Sequence, residues 1–316
     1  MLYFLLLVLG FFPLIYGAGL LVDSASSLAK RYNIPNMVIG LTIVAFGTSA
    51  PELVVNVFSA IQGNADLALS NVIGSNIFNI AAILGLSAII YPLTVKNNTT
   101  WIEIPLALLA ALLVFILAND RLIDNSEDSV INRIDGIVLL IFFLIFMVYN
   151  FQMIQKGEFS EEIPIKDMAP KKAVLLVIAG IILLVAGGRL IVFSAVELAL
   201  SWGLSERLIG LTIVSIGTSL PELATSLVAA TKKNTDIAVG NIVGSNIFNV
   251  FFILGISATI YPVPFQSGSQ PDILINILLS LMLFAFLFTG KGRRLERWEG
   301  ITFVVIYVGY MAWLLV

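Results

Sequence analysis

The sequence predicts an all-α membrane protein, with ten transmembrane helices arranged as two inverted five-helix repeats. Three observations carry that prediction. Of 316 residues, 59% are hydrophobic and only 12% charged, more apolar surface than a soluble domain of this size can bury. A window of about 20 residues, the length that crosses a bilayer core, marks ten apolar runs along the chain. Two blocks of polar-studded sequence also recur at a constant separation of 170 residues. With five spans per copy, the second copy enters the membrane from the face opposite to the first, so the repeats are inverted.

The first repeat, residues 1–151, holds the runs 2–28, 35–61, 67–92, 101–118 and 132–151. The second, residues 172–316, holds 172–200, 207–231, 237–262, 271–290 and 298–315. The run from Leu2 to Val22 is too long for a signal-peptide core and lacks a basic leader, so it reads as a structural helix. The connection 152–171 carries Lys156, Glu158, Glu161, Glu162, Lys166 and Asp167 and reads as a solvated linker. If the N-terminus lies outside, the inside loops hold Lys30, Arg31, Lys96, Lys156, Lys166, Lys171, Lys172, Lys232, Lys233, Lys291, Arg293, Arg294 and Arg297. Only Arg121, Arg133, Arg189 and Arg207 fall on or near the other side. This asymmetry predicts a multi-pass protein of the cell membrane with both termini outside and the linker in the cytoplasm.

Composition also removes functions. The net charge of -3 gives no electrostatic basis for nucleic-acid binding. Cysteine and histidine are absent, which excludes disulfides, thiol nucleophiles, histidine-ligated zinc or haem, and a histidine proton relay. The aromatic residues read as lipid-facing or packing groups, and no pattern calls for a cofactor. An intramembrane enzyme would lack its usual side-chain constellations here.

Gly40-Leu-Thr-Ile-Val-Ala-Phe-Gly-Thr-Ser-Ala-Pro-Glu52 returns as Gly210-Leu-Thr-Ile-Val-Ser-Ile-Gly-Thr-Ser-Leu-Pro-Glu222, and Gly74-Ser-Asn-Ile-Phe-Asn79 as Gly244-Ser-Asn-Ile-Phe-Asn249. A charged group at the centre of a membrane helix costs about 2.5–3.5 kcal/mol or more, so each glutamate implies something bound. Pro51 and Pro221 have no amide hydrogen to offer the carbonyls of Gly47 and Gly217, so each span opens there and frees backbone oxygens. With the hydroxyls of Thr48, Ser49, Thr218 and Ser219 and the carboxylates of Glu52 and Glu222, the ligand set is all oxygen, which suits hard cations such as Ca2+ and Na+. Ser75 and Asn79, and Ser245 and Asn249, are four apart and share a helix face. Asn76 and Asn246 sit on another face and read as structural, and Asn56, opposite Ser226 in the repeat, reads as a lining residue of the access path. A competing local reading is that Ser49 and Glu52 form a capping box restarting a helix. Two carboxylates neutralise one Ca2+ and repel each other when empty. Competing cations or protons both relieve that repulsion, so the site favours exchange.

At these residues the chain resembles the Ca2+/cation antiporter superfamily, and most closely its sodium/calcium exchanger branch. The resemblance covers nearly the whole chain. It implies that Glu52 and Glu222 are central Ca2+ ligands shared with Na+, and that Thr48, Ser49, Ser75, Thr218, Ser219 and Ser245 supply oxygens to flanking Na+ sites, joined by the backbone carbonyls of Ala45 and Ser215. It also implies that the first helix of each half slides to alternate access. Some members carry aspartate where this chain has Asn249, so here only two acids remain. The expected activity is Ca2+ exchange for Na+, by a protein working as a monomer with the bilayer and the two ions as its partners. H+/Ca2+ exchange through the same glutamates is the alternative, and a cation channel a remote one.

Overall fold

The computed structural model describes residues 2–63, 66–120, 129–156, 168–201, 215–265, 269–290 and 292–314. The chain is helical almost throughout. Helix α1 spans Leu2–Arg31. The second apolar run is broken in two, α2 over Asn36–Thr48 and α3 over Ala50–Ile61, with axes bent by 50°. There follow α4 (Ala68–Ile90), α5 (Thr99–Leu117), α6 (Arg133–Lys156) and α7 (Pro170–Ser201). The rest comprises α8 (Ser215–Thr218), α9 (Leu220–Thr231), α10 (Thr235–Ile260), α11 (Gln270–Phe286) and α12 (Arg297–Leu314). Among the described residues, six helices are long and apolar enough to cross a membrane, seven if α2 and α3 count as one broken span. The protein is a multi-pass, all-helical membrane protein.

The predicted runs differ from the helices mainly at their ends. The 152–171 connection is shorter than expected, because α6 runs on to Lys156 and α7 starts at Pro170; its middle, 157–167, lies outside the described residues, as does the 207–214 part of the seventh run. The ninth run stops at Phe286 rather than residue 290, since the chain turns there and reaches Gly290 at a positive φ of 66°.

The break between α2 and α3 has the predicted cause. Ser49 leaves helical geometry at φ -80° and ψ 8°, with Pro51 in the first turn of α3. Ser219 does the same at φ -89° and ψ 9°, ahead of Pro221 in α9. Proline fits the first turn of a helix, where its missing N–H has no acceptor to serve, and it blocks continuation of the preceding one.

Burial separates centre from rim. In α4 and α10, 78% and 94% of the apolar window is buried, against 33% in α1 and α7 and 17% in α6. The helices carrying Ser75, Asn79, Ser245 and Asn249 are therefore the middle of the molecule, and α1, α6 and α7 present Leu, Ile and Phe side chains outward, as lipid requires. Phe143 and Phe146 of α6 pack on Phe248 at 5.0 and 6.3 Å between ring centroids, which bears out a packing role for these rings. Both α4 and α10 widen into a π-helix just where the asparagines lie, over Phe78–Leu84 and Phe248–Leu254.

Helices α1 and α7 cross through glycine. A Cβ on Gly17 would lie 2.8 Å from the carbonyl oxygen of Gly180, and one on Gly187 would lie 2.8 Å from that of Gly10. As the position rises in one helix it falls in the other, so the two run antiparallel with their backbones in contact. Short ladders tie the loops: β1 (Leu93–Thr94) with β4 (Arg294–Leu295), and β2 (Val130–Ile131) with β3 (Val263–Pro264), both antiparallel.

Candidate functional site

Glu52 and Glu222 occupy the first turns of α3 and α9, where the helix dipole favours a carboxylate. Each is only 1% exposed. Their hydrogen bonds cross between the two sequence copies. Ser49 donates to Glu222 Oε1 at 2.7 Å, and Ser219 donates to Glu52 Oε1 at 2.9 Å. Ser245 Oγ stands 3.0 Å from Ser49 Oγ and 3.4 Å from Glu222 Oε1, and Ser75 Oγ lies 3.2 Å from Ser219 Oγ. The capping-box reading is thereby corrected: neither serine makes a side-chain cap to its own helix, because the carboxylate of the other copy is the stronger acceptor within reach.

The asparagines cross as well. Asn79 Nδ2 donates to Asn246 Oδ1 at 3.0 Å, and Asn249 Nδ2 donates to Asn76 Oδ1 at 3.0 Å. This leaves four buried oxygens without a hydrogen bond among the described residues: Glu52 Oε2, Glu222 Oε2, Asn79 Oδ1 and Asn249 Oδ1. They fall at equivalent positions of the 170-residue repeat. Buried acceptors are nearly always satisfied, and here both acidic and neutral ones are not. Two carboxylate and two amide oxygens together are a hard-cation ligand set.

The remaining candidates sit around this core. Thr48, fully buried, lies 3.0 Å from Asn241 Oδ1 and 3.2 Å from the carbonyl oxygen of Ala45. The Ala45 carbonyl also accepts the Ser49 amide at 2.9 Å. Ser215 opens α8. Thr218 is half-buried and lines a 370 Å³ cavity with Pro51, Gly217, Pro221, Arg189 and Phe193. That cavity runs between α7 and the two helix breaks. Asn56 is corrected from its access-path role: it is 0% exposed, and its Nδ2 donates to the Glu52 carbonyl at 2.7 Å.

Sequence reasoning missed Asn241. Its Nδ2 reaches Ser226 Oγ at 2.9 Å and the Glu222 carbonyl at 3.3 Å, while its Oδ1 faces Thr48. The available signal was its recurrence, since Asn71 lies 170 residues earlier in equally apolar sequence.

Comparison with known proteins agrees with this arrangement. The profile of the family described as sodium/calcium exchanger protein matches residues 2–152 and 172–316. The putative antiporter CaxA of Alkalimonas amylolytica is 39% identical, over 96% of this chain and 95% of that protein. The sodium/calcium exchanger MaX1 of Methanosarcina acetivorans is 29% identical over 98% of this chain and 97% of its own length. Among solved structures, the sodium-calcium exchanger NCX_Mj soaked with Na+ superposes with a TM-score of 0.82 at 32% identity, covering 98% of this chain and 97% of that one. Fold and likeness together define a membrane cation antiporter, a transporter and not an enzyme. The chain belongs to the sodium/calcium exchanger family.

Proposed function

We propose that the protein exchanges Ca2+ for Na+ by alternating access, binding its ions at Glu52 and Glu222. The observation that carries this is the set of four buried, unpartnered oxygens on Glu52, Glu222, Asn79 and Asn249. A bare pair of buried carboxylates repels itself in a medium of low dielectric, and a divalent cation between them cancels both charges. Ser49, Ser219, Ser75 and Ser245 orient the carboxylates and, with Thr48, Thr218 and the carbonyls of Ala45 and Ser215, supply the oxygens of flanking Na+ positions. Ions are the substrates, and the protein needs no cofactor to move them.

With two acids, three Na+ leave the site at +1 and one Ca2+ leaves it neutral, so three-for-one exchange carries charge through the ions themselves. The architecture proposed for this is ten spans, 1–151 and 172–316 forming inverted halves about the cytoplasmic 152–171 linker, with both termini outside and the monomer as the working unit. The crossed contacts between residues about 170 apart support a two-fold relation between the halves. The cavity that reaches Thr218 supports access from the face on which α7 ends.

Glu52→Gln and Glu222→Gln test the site. Each keeps the side-chain volume and removes one charge. The expected outcome is loss of Na+-gradient-driven Ca2+ uptake in proteoliposomes with folded protein retained; normal exchange by either variant contradicts the assignment.

A further inference from the structure

The amide of Asn249 has two ends, and only its oxygen serves a cation. Its orientation is set by a chain of polar groups that begins at a backbone carbonyl. Asn246 offers its main-chain oxygen, which can only accept. Asn76 Nδ2 lies 3.3 Å from it, so the donor end of the Asn76 amide is committed there and its oxygen points the other way. That oxygen in turn can only accept, and Asn249 Nδ2 donates to it at 3.0 Å. The oxygen of Asn249 is then left free, buried and without a hydrogen bond among the described residues. Asn76, Asn246 and Asn249 are 3%, 4% and 1% exposed, so water does not compete for these groups.

We propose that Asn76 is a positioning residue for cation binding: it fixes the Asn249 amide with the oxygen toward the ion, taking its own direction from the Asn246 carbonyl. This rests on the ligand reading of Asn249. Without the relay, the amide can turn over and present its NH2 group, a donor that repels a cation. Groups that orient metal ligands typically change affinity by 10- to 100-fold when removed, and a relay through two amides belongs to that class. The consequence is specific to an amide at position 249. A carboxylate there has oxygen at both ends and needs no orientation, so Asn76 matters only while residue 249 is asparagine.

The experiment reads the Ca2+ concentration giving half-maximal uptake in proteoliposomes for the whole chain and for Asn76→Ala, Asn249→Ala, Asn249→Asp and the double variant Asn76→Ala with Asn249→Asp. Asn76→Ser replaces Asn76→Ala if the latter does not yield folded protein, as its hydroxyl is too short to stand in for the amide oxygen. The expected result is a rise of roughly tenfold or more for Asn76→Ala in the native background, and no further rise when it is added to Asn249→Asp. An equal rise in both backgrounds would mean that Asn76 acts on packing alone, and an unchanged value in the native background would mean that no orienting is needed. Either result overturns the relay while leaving the Glu52 and Glu222 site standing. An unchanged Asn249→Ala variant would remove Asn249 as a ligand and the relay with it.

Discussion

Ser49 and Ser219 show how single side chains define the site. Each follows a helix break, and each sends its hydroxyl to the glutamate of the other copy. Ser219→Ala strips Glu52 Oε1 of this donor, and Oε2 already has none. A hydrogen bond to a charged group contributes about 1.5–3 kcal/mol, so the variant should weaken apparent ion affinity by roughly tenfold or more. The Ca2+ dependence of uptake checks this, and an unchanged midpoint argues against the serine as part of the ion centre. The residue types at the centre were visible in the sequence because duplication in apolar surroundings exposes them. Their partners were not. Ser-x-Pro-Glu fits a local cap as well as a remote contact, and only docking of segments 173 residues apart chooses between them. Asn241 escaped for a related reason: a lone asparagine in a helix announces no partner until Thr48 is placed beside it.

At the scale of elements, the proline breaks and the glycine crossing were both readable, for different reasons. Pro51 and Pro221 act on their own helices through local sterics, so their effect follows from sequence position. Gly17 and Gly187 were noticed as a repeated pair, but their use in an antiparallel backbone contact between α1 and α7 depends on how the two halves meet. Gly17→Leu forces a side chain into the space of the Gly180 carbonyl, which would lie 2.8 Å from its Cβ. The two helices must then separate. Overpacking a close contact costs about 1–3 kcal/mol, so we expect a lower unfolding temperature in detergent and reduced transport; unchanged values for both would show that α1 and α7 need not touch. The π-helical turns around Asn79 and Asn249 left no signal in sequence, because one extra residue per turn does not disturb apolar composition. The two-residue ladders β1–β4 and β2–β3 are likewise too short to show a strand pattern.

For the whole molecule, composition was decisive for solvent and class, and the 170-residue echo located the centre. The two halves are not equivalent in their closure. Lys232, at the end of α9, pairs with Asp23 of α1 at 2.5 Å and reaches the Gly19 carbonyl at 3.2 Å. The positions 170 residues away hold Gln62, Phe193 and Arg189, which cannot repeat that acid–lysine pair, and Phe193 and Arg189 line the cavity reaching Thr218. One side is tied and the other is open, as one face of an alternating-access carrier should be. Which ion drives the cycle is a property of the complete transporter, since two carboxylates accept Ca2+, Na+ or protons by the same electrostatics. Ca2+ uptake by proteoliposomes under an opposing Na+ gradient, beside a pH gradient in Na+-free buffer, decides it. Uptake that follows the Na+ gradient and stays near background with the pH gradient alone is the predicted result; equal uptake with the pH gradient and no Na+ would contradict Na+/Ca2+ exchange.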